Sequence, residues 1–256
     1  MKLLKVLDKN LMSPHQKFKY EIGKKYICDD FDTNIEKSCS RGFYAMDIDG
    51  IPCSWGGEEK HIIVEVEVGG RSVEIDKYKR RFEEQTILRI LEKEEIISLA
   101  KSKEKELEYK LSEVLFPVNP LLLKKKKLTE KHIELLKKWA SVIDSVWLSV
   151  VNSIRDSKVD PMPDTLVDSV LYLLWDIMWD SMKASHIYSV KASIGAYISS
   201  LFPMVKKWKY FEHVNDPFRS AIDLWNDGFI PVSNDRIWML CQRKNAKIVY
   251  KLKNDL

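Results

Sequence analysis

The chain lacks the short motifs that mark many catalytic and metal sites. Four of its 256 residues are cysteines, and no two of them form a C-x-x-C pair, which argues against a structural zinc site. It also contains no glycine-rich phosphate loop, no H-E-x-x-H and no G-x-S-x-G. We therefore predict neither a metal nor a cofactor. A metal held by Cys28, Cys39, Cys53 and His61 is the alternative to free thiols in a reducing cytosol.

Long apolar runs are missing as well. The N-terminal residues MKLLKVLDKNLMSPHQK do not contain the apolar stretch of a signal peptide. The most apolar stretch, 166–182, includes Asp168, Asp176 and Asp180, which excludes an ordinary transmembrane helix. We therefore expect a cytoplasmic protein without a membrane partner.

The charge of the chain is almost balanced. Its formal net charge is +4, from 42 basic and 38 acidic residues. Residues 1–127 hold 25 basic and 23 acidic residues, and residues 128–256 hold 17 and 15. No global basic field of the kind that marks many nucleic-acid-binding proteins is present.

The middle of the chain carries a four-residue repeat that is roughly Trp-Asp-Ser-Val. Its serines are Ser141, Ser145, Ser149, Ser153 and Ser157, followed in the same phase by Ser169, Ser181, Ser185, Ser189 and Ser193. Four residues of α-helix turn through about 400°, so a row of serines drifts by about 40° per repeat. Two or three serines can therefore share one helix crossing, where small side chains allow close approach.

A β-solenoid is the alternative for this tract, because valine favours strands. The linkers of a solenoid should be rich in glycine or asparagine, and these are not. The surrounding leucine, methionine, lysine and alanine residues between 173 and 184 favour helix. We predict a helical hairpin that turns at 160–164 and has a break near 183–186 or at Gly195.

These patterns predict an α+β protein with a strand-rich N-terminal part. Residues 61–68 alternate between apolar and polar and predict a half-buried strand that Gly69 and Gly70 stop. Residues 93–115 predict a helix, and 237–241 with 247–251 predict a β-hairpin. The predicted domains are an N-terminal α+β domain over 1–115, a lysine-rich linker over 116–127, the helical hairpin over 128–203 and a C-terminal cap over 204–256.

Three stretches of the N-terminal third stand out together, namely Tyr20–Tyr26, Cys39–Ala45 and the valine-rich Ile63–Gly69. Through them the N-terminal third resembles an uncharacterised domain that is common in phage and mobile-element proteins, with Tyr44 where the family usually has histidine. In the C-terminal half, the repeat tract is followed by Tyr197–Phe202, and this half is similar to phage and bacterial repeat proteins. The resemblance implies a phage or mobile-element protein, located in the host cell if a phage encodes it, and carries no known activity.

An enzyme is one alternative function. The order of strands is similar to that of ADP-ribosyltransferase-like folds, which bind NAD. Their aromatic shelf and catalytic glutamate would be Tyr44 and either Glu65 or Glu67, with His15 as the histidine of the first strand. Glu65 and Glu67 lie on one strand face, which is also the pattern of a solvated strand.

Two clusters of basic and aromatic residues suggest a nucleic-acid partner as the other alternative. Such clusters can bind phosphates and stack bases. The candidate binding residues are Arg71, Lys79, Arg80 and Arg81 in the first cluster and Lys206, Lys207, Trp208 and Lys209 in the second. The first cluster also contains acidic residues, so the alternative for it is a charged surface loop. The aromatic residues of the second cluster can instead pack the C-terminal cap against the helices.

The function that we expect is protein–protein interaction without catalysis, directed at a host factor. The absence of a catalytic motif and the scaffold-like helical tract favour this interpretation. An NAD-dependent enzyme and a nucleic-acid-binding accessory protein are the alternatives. A homo-oligomer formed through the helical region is a further alternative.

Overall fold

A computed structural model describes residues 1–14, 17–142, 146–157, 163–179, 187–211, 214–234, 237–243 and 245–252. The chain divides into two compact units, Met1–Glu106 and Leu107–Leu256, which we call unit 1 and unit 2. The predicted α+β class is confirmed, because unit 1 is strand-rich and unit 2 combines helices with a small sheet. In the described ranges, no helix is both long and apolar enough to cross a membrane.

Unit 1 is built on an antiparallel sheet. Its strands are β1 (Lys2–Asp8), β2 (Lys25–Ile27), β3 (Phe43–Ala45), β4 (His61–Glu74) and β5 (Arg80–Ile90), and a 3-10 helix spans Ile48–Cys53. The strand order is β1–β4–β5–β2, and β3 also pairs with β5. The sheet is followed by helix α1 (Lys93–Leu107), whose buried residues are Ile96 and Ala100.

The sheet curls back on itself near β3. Leu4 of β1 and Met46, just after β3, exchange two main-chain hydrogen bonds of 2.9 Å. On β5, residues 84–86 pair with β2 and residues 80–82 pair with β3. The two short strands therefore follow one another along the same edge of β5. Between them the chain leaves the sheet at residue 28 and returns at residue 42, and we call this segment the 28–42 loop.

The alternation predicted for 61–68 is confirmed. Val64, Val66 and Val68 are buried and share a core with Leu3, Leu7, Tyr20, Ala45, Phe82 and Ile87. The prediction that Gly69 and Gly70 stop the strand is wrong, because β4 continues to Glu74. The pairing with β5 shifts register between Gly69 and Ser72, and Gly70 has a φ of +69°. A bulge absorbs the glycines without ending the strand.

Unit 2 contains most of the helices. They are α2 (Leu111–Leu115), α3 (Glu130–Ala140), α4 (Val146–Asp156), α5 (Pro163–Trp179), α6 (Ile187–Ser199) and α7 (Arg219–Asn226), with a 3-10 turn at Pro120–Leu122. The single helix predicted over 93–115 is wrong, because Glu108 has a φ of +59° and separates α1 from α2.

The C-terminal part of unit 2 forms a three-stranded antiparallel sheet. Its strands are β6 (Ile230–Ser233), β7 (Trp238–Gln242) and β8 (Lys247–Lys251), in the order β6–β7–β8. The β-hairpin predicted at 237–251 is confirmed as β7 and β8. The additional strand, β6, was not predicted.

The repeat tract is helical where the structure describes it, at α4, α5 and α6. The predicted turn at 160–164 and the predicted break near 183–186 fall mostly outside the described residues. A break at Gly195 does not occur, because α6 continues through it. A side chain at residue 195 would start 3.4 Å from the ring of Trp147 on α4. A Cβ there would make ordinary van der Waals contacts, so α4 and α6 are closely packed at this position.

Buried serines of the tract also bind main-chain groups of distant segments. The hydroxyl of Ser149 donates to the carbonyl of Lys209, and the N–H of Lys209 donates to the Ser153 hydroxyl at 2.8 Å. On α6, the Ser193 hydroxyl donates to the Pro231 carbonyl at 2.8 Å, and the Ser233 N–H donates to Ser189 at 2.8 Å. Because β6 is an edge strand, these bonds satisfy polar groups that its sheet leaves unpaired.

Replacing Ser193 with alanine should lower the free energy of unfolding of unit 2 by about 1–3 kcal/mol, because the buried Pro231 carbonyl loses its donor. Urea denaturation followed by tryptophan fluorescence measures this, since seven of the eight tryptophans lie after residue 107. Ser141→Ala is the matched control, because Ser141 is exposed and its hydroxyl donates to the Lys138 carbonyl of its own helix. Equal effects of the two substitutions would contradict the assignment.

Candidate functional site

An open pocket of about 600 Å³ lies in unit 1, where β2 ends and β3 begins. Three aromatic residues, Phe18, Tyr20 and Phe43, form one part of its lining. The rest comes from the two ends of the 28–42 loop, with residues 27–30 on one side and 40–42 on the other. The pocket exists because the chain leaves β5 after β2 and rejoins it at β3.

The aromatic lining is part of a cluster of rings packed mostly edge to face. Phe18 lies 4.8 Å from Tyr20 and 5.4 Å from Tyr26 between ring centroids, and Tyr20 lies 6.4 Å from Phe43. Tyr20 and Phe43 are anchored in the core of the sheet, whereas Phe18 is 40% exposed. Aromatic faces carry partial negative charge and attract cations.

Two exposed aspartates lie at one end of the pocket. Asp30 accepts from the Arg41 guanidinium at 2.6 Å and from the Cys28 thiol at 3.3 Å. Burial and the hydrogen bond to Asp30 raise the pKa of Cys28, so this thiol stays protonated at neutral pH. Among the described residues, the Asp29 carboxylate has no ion-pair partner. With Asp30 and Arg41 compensating each other, the pocket keeps the negative charge of Asp29.

Arg81 anchors the middle of the 28–42 loop, whose two ends line the pocket. Its side chain is fully buried, and its guanidinium donates to the carbonyls of Asp32 at 2.6 Å, Asn34 at 3.1 Å and Lys37 at 2.6 Å. Gly42 makes room for it, because a Cβ there would lie 2.7 Å from the Arg81 Cγ, and Gly42 has a φ of +136°. One side chain of the sheet thus binds three main-chain groups of a loop without regular structure.

Tyr44 and Lys79 hold the return of the same loop. The Tyr44 hydroxyl accepts from the Ser40 N–H at 2.5 Å and donates to the Ser40 carbonyl at 3.0 Å. The Lys79 ammonium lies 4.3 Å from the centroid of the Tyr44 ring and donates to the Ser38 carbonyl at 3.0 Å. Three residues singled out from the sequence, Tyr44, Lys79 and Arg81, therefore come together around the main chain of the loop.

The other residues of the first basic cluster lie in different surroundings. Arg71 makes an ion pair with Glu83 at 2.6 Å and lies 5.3 Å from the Phe31 ring. Arg80 is half-buried on β5 opposite Glu74. The structure therefore gives Arg71 a carboxylate partner within its own sheet.

The proposed catalytic glutamates are not joined to Tyr44. Glu65 lies 3.5 Å from Lys2 and 3.2 Å from Arg89, and Glu67 is exposed. Within the described residues, no hydrogen bond links either carboxylate to Tyr44. The third candidate of that alternative, His15, lies outside the described residues.

The second basic cluster lies in unit 2. Trp208 is 9% exposed and packs at 5.3 Å against Phe218, so its ring faces the interior of the unit. The Lys209 ammonium makes an ion pair with Asp156 at 2.5 Å, and Lys206 donates to the Pro203 carbonyl. Lys207 is exposed. The aromatic side chain thus contributes to packing.

No metal-like cluster is found in the part of the chain that the structure describes, where no three or more His, Cys, Asp or Glu side chains converge. The His61 Nδ1 accepts from the Gly56 N–H at 2.8 Å, which occupies one of its ring nitrogens. Cys28, Cys39 and Cys53 are free thiols.

Lys5 is a buried cation that the sequence did not reveal as a special residue. Its ammonium donates to the Tyr44 carbonyl at 2.7 Å and lies 5.0 Å from the Tyr20 ring. The Gln85 amide reaches the same carbonyl at 3.4 Å. Burial, with a smaller effect of the Lys79 charge, lowers the pKa of Lys5 to about 7. The available signal in the sequence was a lysine in the middle of the apolar strand β1, on the same strand face as Leu3 and Leu7.

Arg81→Met should release the 28–42 loop, because three carbonyls lose a charged donor. We expect faster amide hydrogen exchange across residues 32–42 and a loss of about 2–3 kcal/mol of unfolding free energy in unit 1. Hydrogen-exchange mass spectrometry and thermal unfolding measure the two effects. The control is Arg71→Met, which removes an ion pair of an exposed side chain and should leave the stability of unit 1 almost unchanged. Unchanged loop protection in Arg81→Met would contradict the proposed anchor.

Lys5 should make unit 1 more stable as the pH rises from 7 to 8.5. Its pKa is about 7 in the folded chain and near 10.5 when unfolded, so in this range the unfolded chain binds more protons. The free energy of unfolding should increase by about 1.5 kcal/mol. Above this range the thiols of Cys28, Cys53 and Cys241 act in the opposite direction, because burial raises their pKa values.

The variant Lys5→Met isolates this effect in denaturant titrations at each pH. Methionine is similar in length and carries no charge, so the difference in slope between the two proteins belongs to Lys5. A variant with the same pH dependence as the parent chain would show that Lys5 is not the group responsible.

Comparison of the chain with family models, curated proteins and solved structures finds no match. The resemblance to a phage and mobile-element domain therefore stays a prediction. The function proposed for the chain depends on the geometry of the pocket.

Proposed function

We propose that this chain is a non-enzymatic interaction protein whose pocket binds a basic side chain of a partner protein. The observation that carries the proposal is the combination of an aromatic lining with the carboxylate of Asp29, which has no ion-pair partner among the described residues. An aromatic face and a carboxylate both favour a cation, and together they favour it over a neutral group of the same shape. Arginine and lysine are the side chains that provide such a cation.

The dimensions of the pocket support a side chain or a short peptide as its occupant. Its volume of about 600 Å³ lies within the range of about 300–1,000 Å³ that is usual for ligand sites. The pocket is open, so a side chain can enter while its own main chain stays at the surface. Phe18, which is 40% exposed, offers apolar area to the aliphatic part of such a side chain.

The side chains around the pocket favour binding over catalysis. The raised pKa of Cys28 keeps its thiol in the less nucleophilic form. The Tyr44 hydroxyl both accepts from and donates to the main chain of Ser40. The Cys28 thiol and the Tyr44 hydroxyl are thus both held by hydrogen bonds within the chain.

The alternatives from the sequence have less support in this geometry. Arg81, Lys79 and Lys209 direct their charges to groups within the chain, which weakens the case for a nucleic-acid surface. The glutamate of an NAD-dependent site has no link to Tyr44 among the described residues. A host factor as the partner, and a phage or mobile-element origin, stay predictions that no comparison tests.

The proposal predicts selective binding of a guanidinium group. Titration of the isotope-labelled chain with N-acetyl-arginine amide should shift the amide resonances of Gly42, Phe43 and Cys28. N-acetyl-citrulline amide is nearly isosteric and neutral, so it should bind at least about fivefold more weakly. The variant Asp29→Asn should weaken arginine binding about fivefold and leave citrulline binding unchanged, because one exposed charge contributes up to about 1 kcal/mol.

The variant Glu67→Gln is the matched control, because it removes an equally exposed carboxylate outside the pocket. Equal affinities for arginine and citrulline would contradict the proposal. Shifts that appear only away from the pocket would contradict it as well.

A further inference from the structure

The strand that leads into the pocket has an open edge. β2 is the last strand in the order β1–β4–β5–β2. Tyr26 pairs with Gln85, and the N–H of Cys28 donates to the Glu83 carbonyl at 2.9 Å. In an antiparallel ladder, alternate residues direct both main-chain groups to the same neighbour. The N–H and C=O groups of Lys25 and Ile27 therefore point away from β5.

No other strand covers this edge in the part of the chain that the structure describes. None of the described main-chain groups bonds to the N–H or C=O of Ile27. Three apolar side chains on or near this strand are exposed, with Ile27 57%, Ile22 52% and Phe18 40% exposed. An edge with free hydrogen-bonding groups and exposed apolar side chains is suited to pairing with another chain.

The edge and the pocket are continuous. Ile27 and Cys28, at the end of β2, line the pocket together with Asp29 and Asp30. An extended segment that pairs with Lys25 and Ile27 therefore runs directly to the carboxylate of Asp29. A basic residue at that end of the segment reaches the aromatic lining without a turn.

We infer that the edge of β2 binds an extended segment of the partner protein as an added strand, with a basic residue of that segment in the pocket. This inference rests on the proposed function and specifies how the partner binds. Main-chain hydrogen bonds to Ile27 and Lys25 supply affinity that does not depend on sequence, and the pocket supplies selectivity. The short length of β2, three residues, limits the added strand to about as many pairs.

The test uses a fluorescein-labelled peptide, Thr-Val-Thr-Arg-Thr-Val-amide, as the probe. It should bind at least about tenfold more tightly than N-acetyl-arginine amide, because it adds main-chain hydrogen bonds. Two further peptides carry N-methyl groups on alternate residues. In a strand, alternate N–H groups point to opposite sides, so one methylated peptide should lose about tenfold in affinity and the other should keep it. Fluorescence anisotropy measures all three.

A protein variant provides an independent check. Lys25→Pro removes an N–H that points away from β5 and so breaks no bond of the sheet, and Lys25 is not part of the pocket lining. It should lower peptide affinity about tenfold and leave the affinity for N-acetyl-arginine amide unchanged. The unchanged binding of the small probe also shows that the pocket has kept its structure.

The outcomes separate this inference from the proposed function. If the arginine amide binds and the peptide binds no more tightly, or if both methylated peptides bind equally, the added strand is wrong and the pocket assignment stands. If a citrulline peptide binds as well as the arginine peptide and remains sensitive to methylation, the edge binds but the proposed selectivity is wrong. Self-association in sedimentation velocity that Lys25→Pro abolishes would identify a second copy as the occupant and overturn the inference.

Discussion

A single buried guanidinium anchors the loop whose two ends line the candidate site. Arg81 lies on the central strand β5 and donates to three carbonyls of this loop, which has no regular secondary structure of its own. The pairing of β2 and β3 with β5 fixes the two ends of the loop, and the bonds of Arg81 hold its middle against the sheet. The bonds are charge-assisted and buried, which makes them stronger than average.

In both units, side chains form hydrogen bonds with main-chain groups of other segments, but the side chains differ. In unit 2, serines of the four-residue tract bind the main chain at Lys209, Pro231 and Ser233. In unit 1, Arg81 and Tyr44 bind the main chain of the 28–42 loop. In both units a regular element satisfies the polar groups of a less regular segment or of a sheet edge. Buried main-chain groups need such partners, and here side chains provide them.

The sequence predicted the parts of the fold in which apolar residues recur at regular spacing along the chain. The valine alternation identified the buried face of β4, and the apolar pair of strands near the C-terminus identified β7 and β8. The residues of the candidate site show no regular spacing in the sequence, because a long loop brings them together. Arg81 looked like one more cation in a charged run, and only its burial shows its role. Lys5 was visible as a lysine on an apolar strand face, but its contact with the Tyr44 carbonyl required the fold.

The proposed anchor of the loop requires that the Arg81 guanidinium is immobile in the folded chain. Through-hydrogen-bond scalar couplings in NMR test this most directly, since they join the Arg81 Nη atoms to the carbonyl carbons of Asp32 and Lys37. If Arg81 anchors the loop, its Nη protons are resolved, exchange slowly with water and show measurable couplings to both carbonyls. A single averaged Nη resonance that exchanges quickly with water would show that Arg81 rotates freely, and the loop would then lack its anchor.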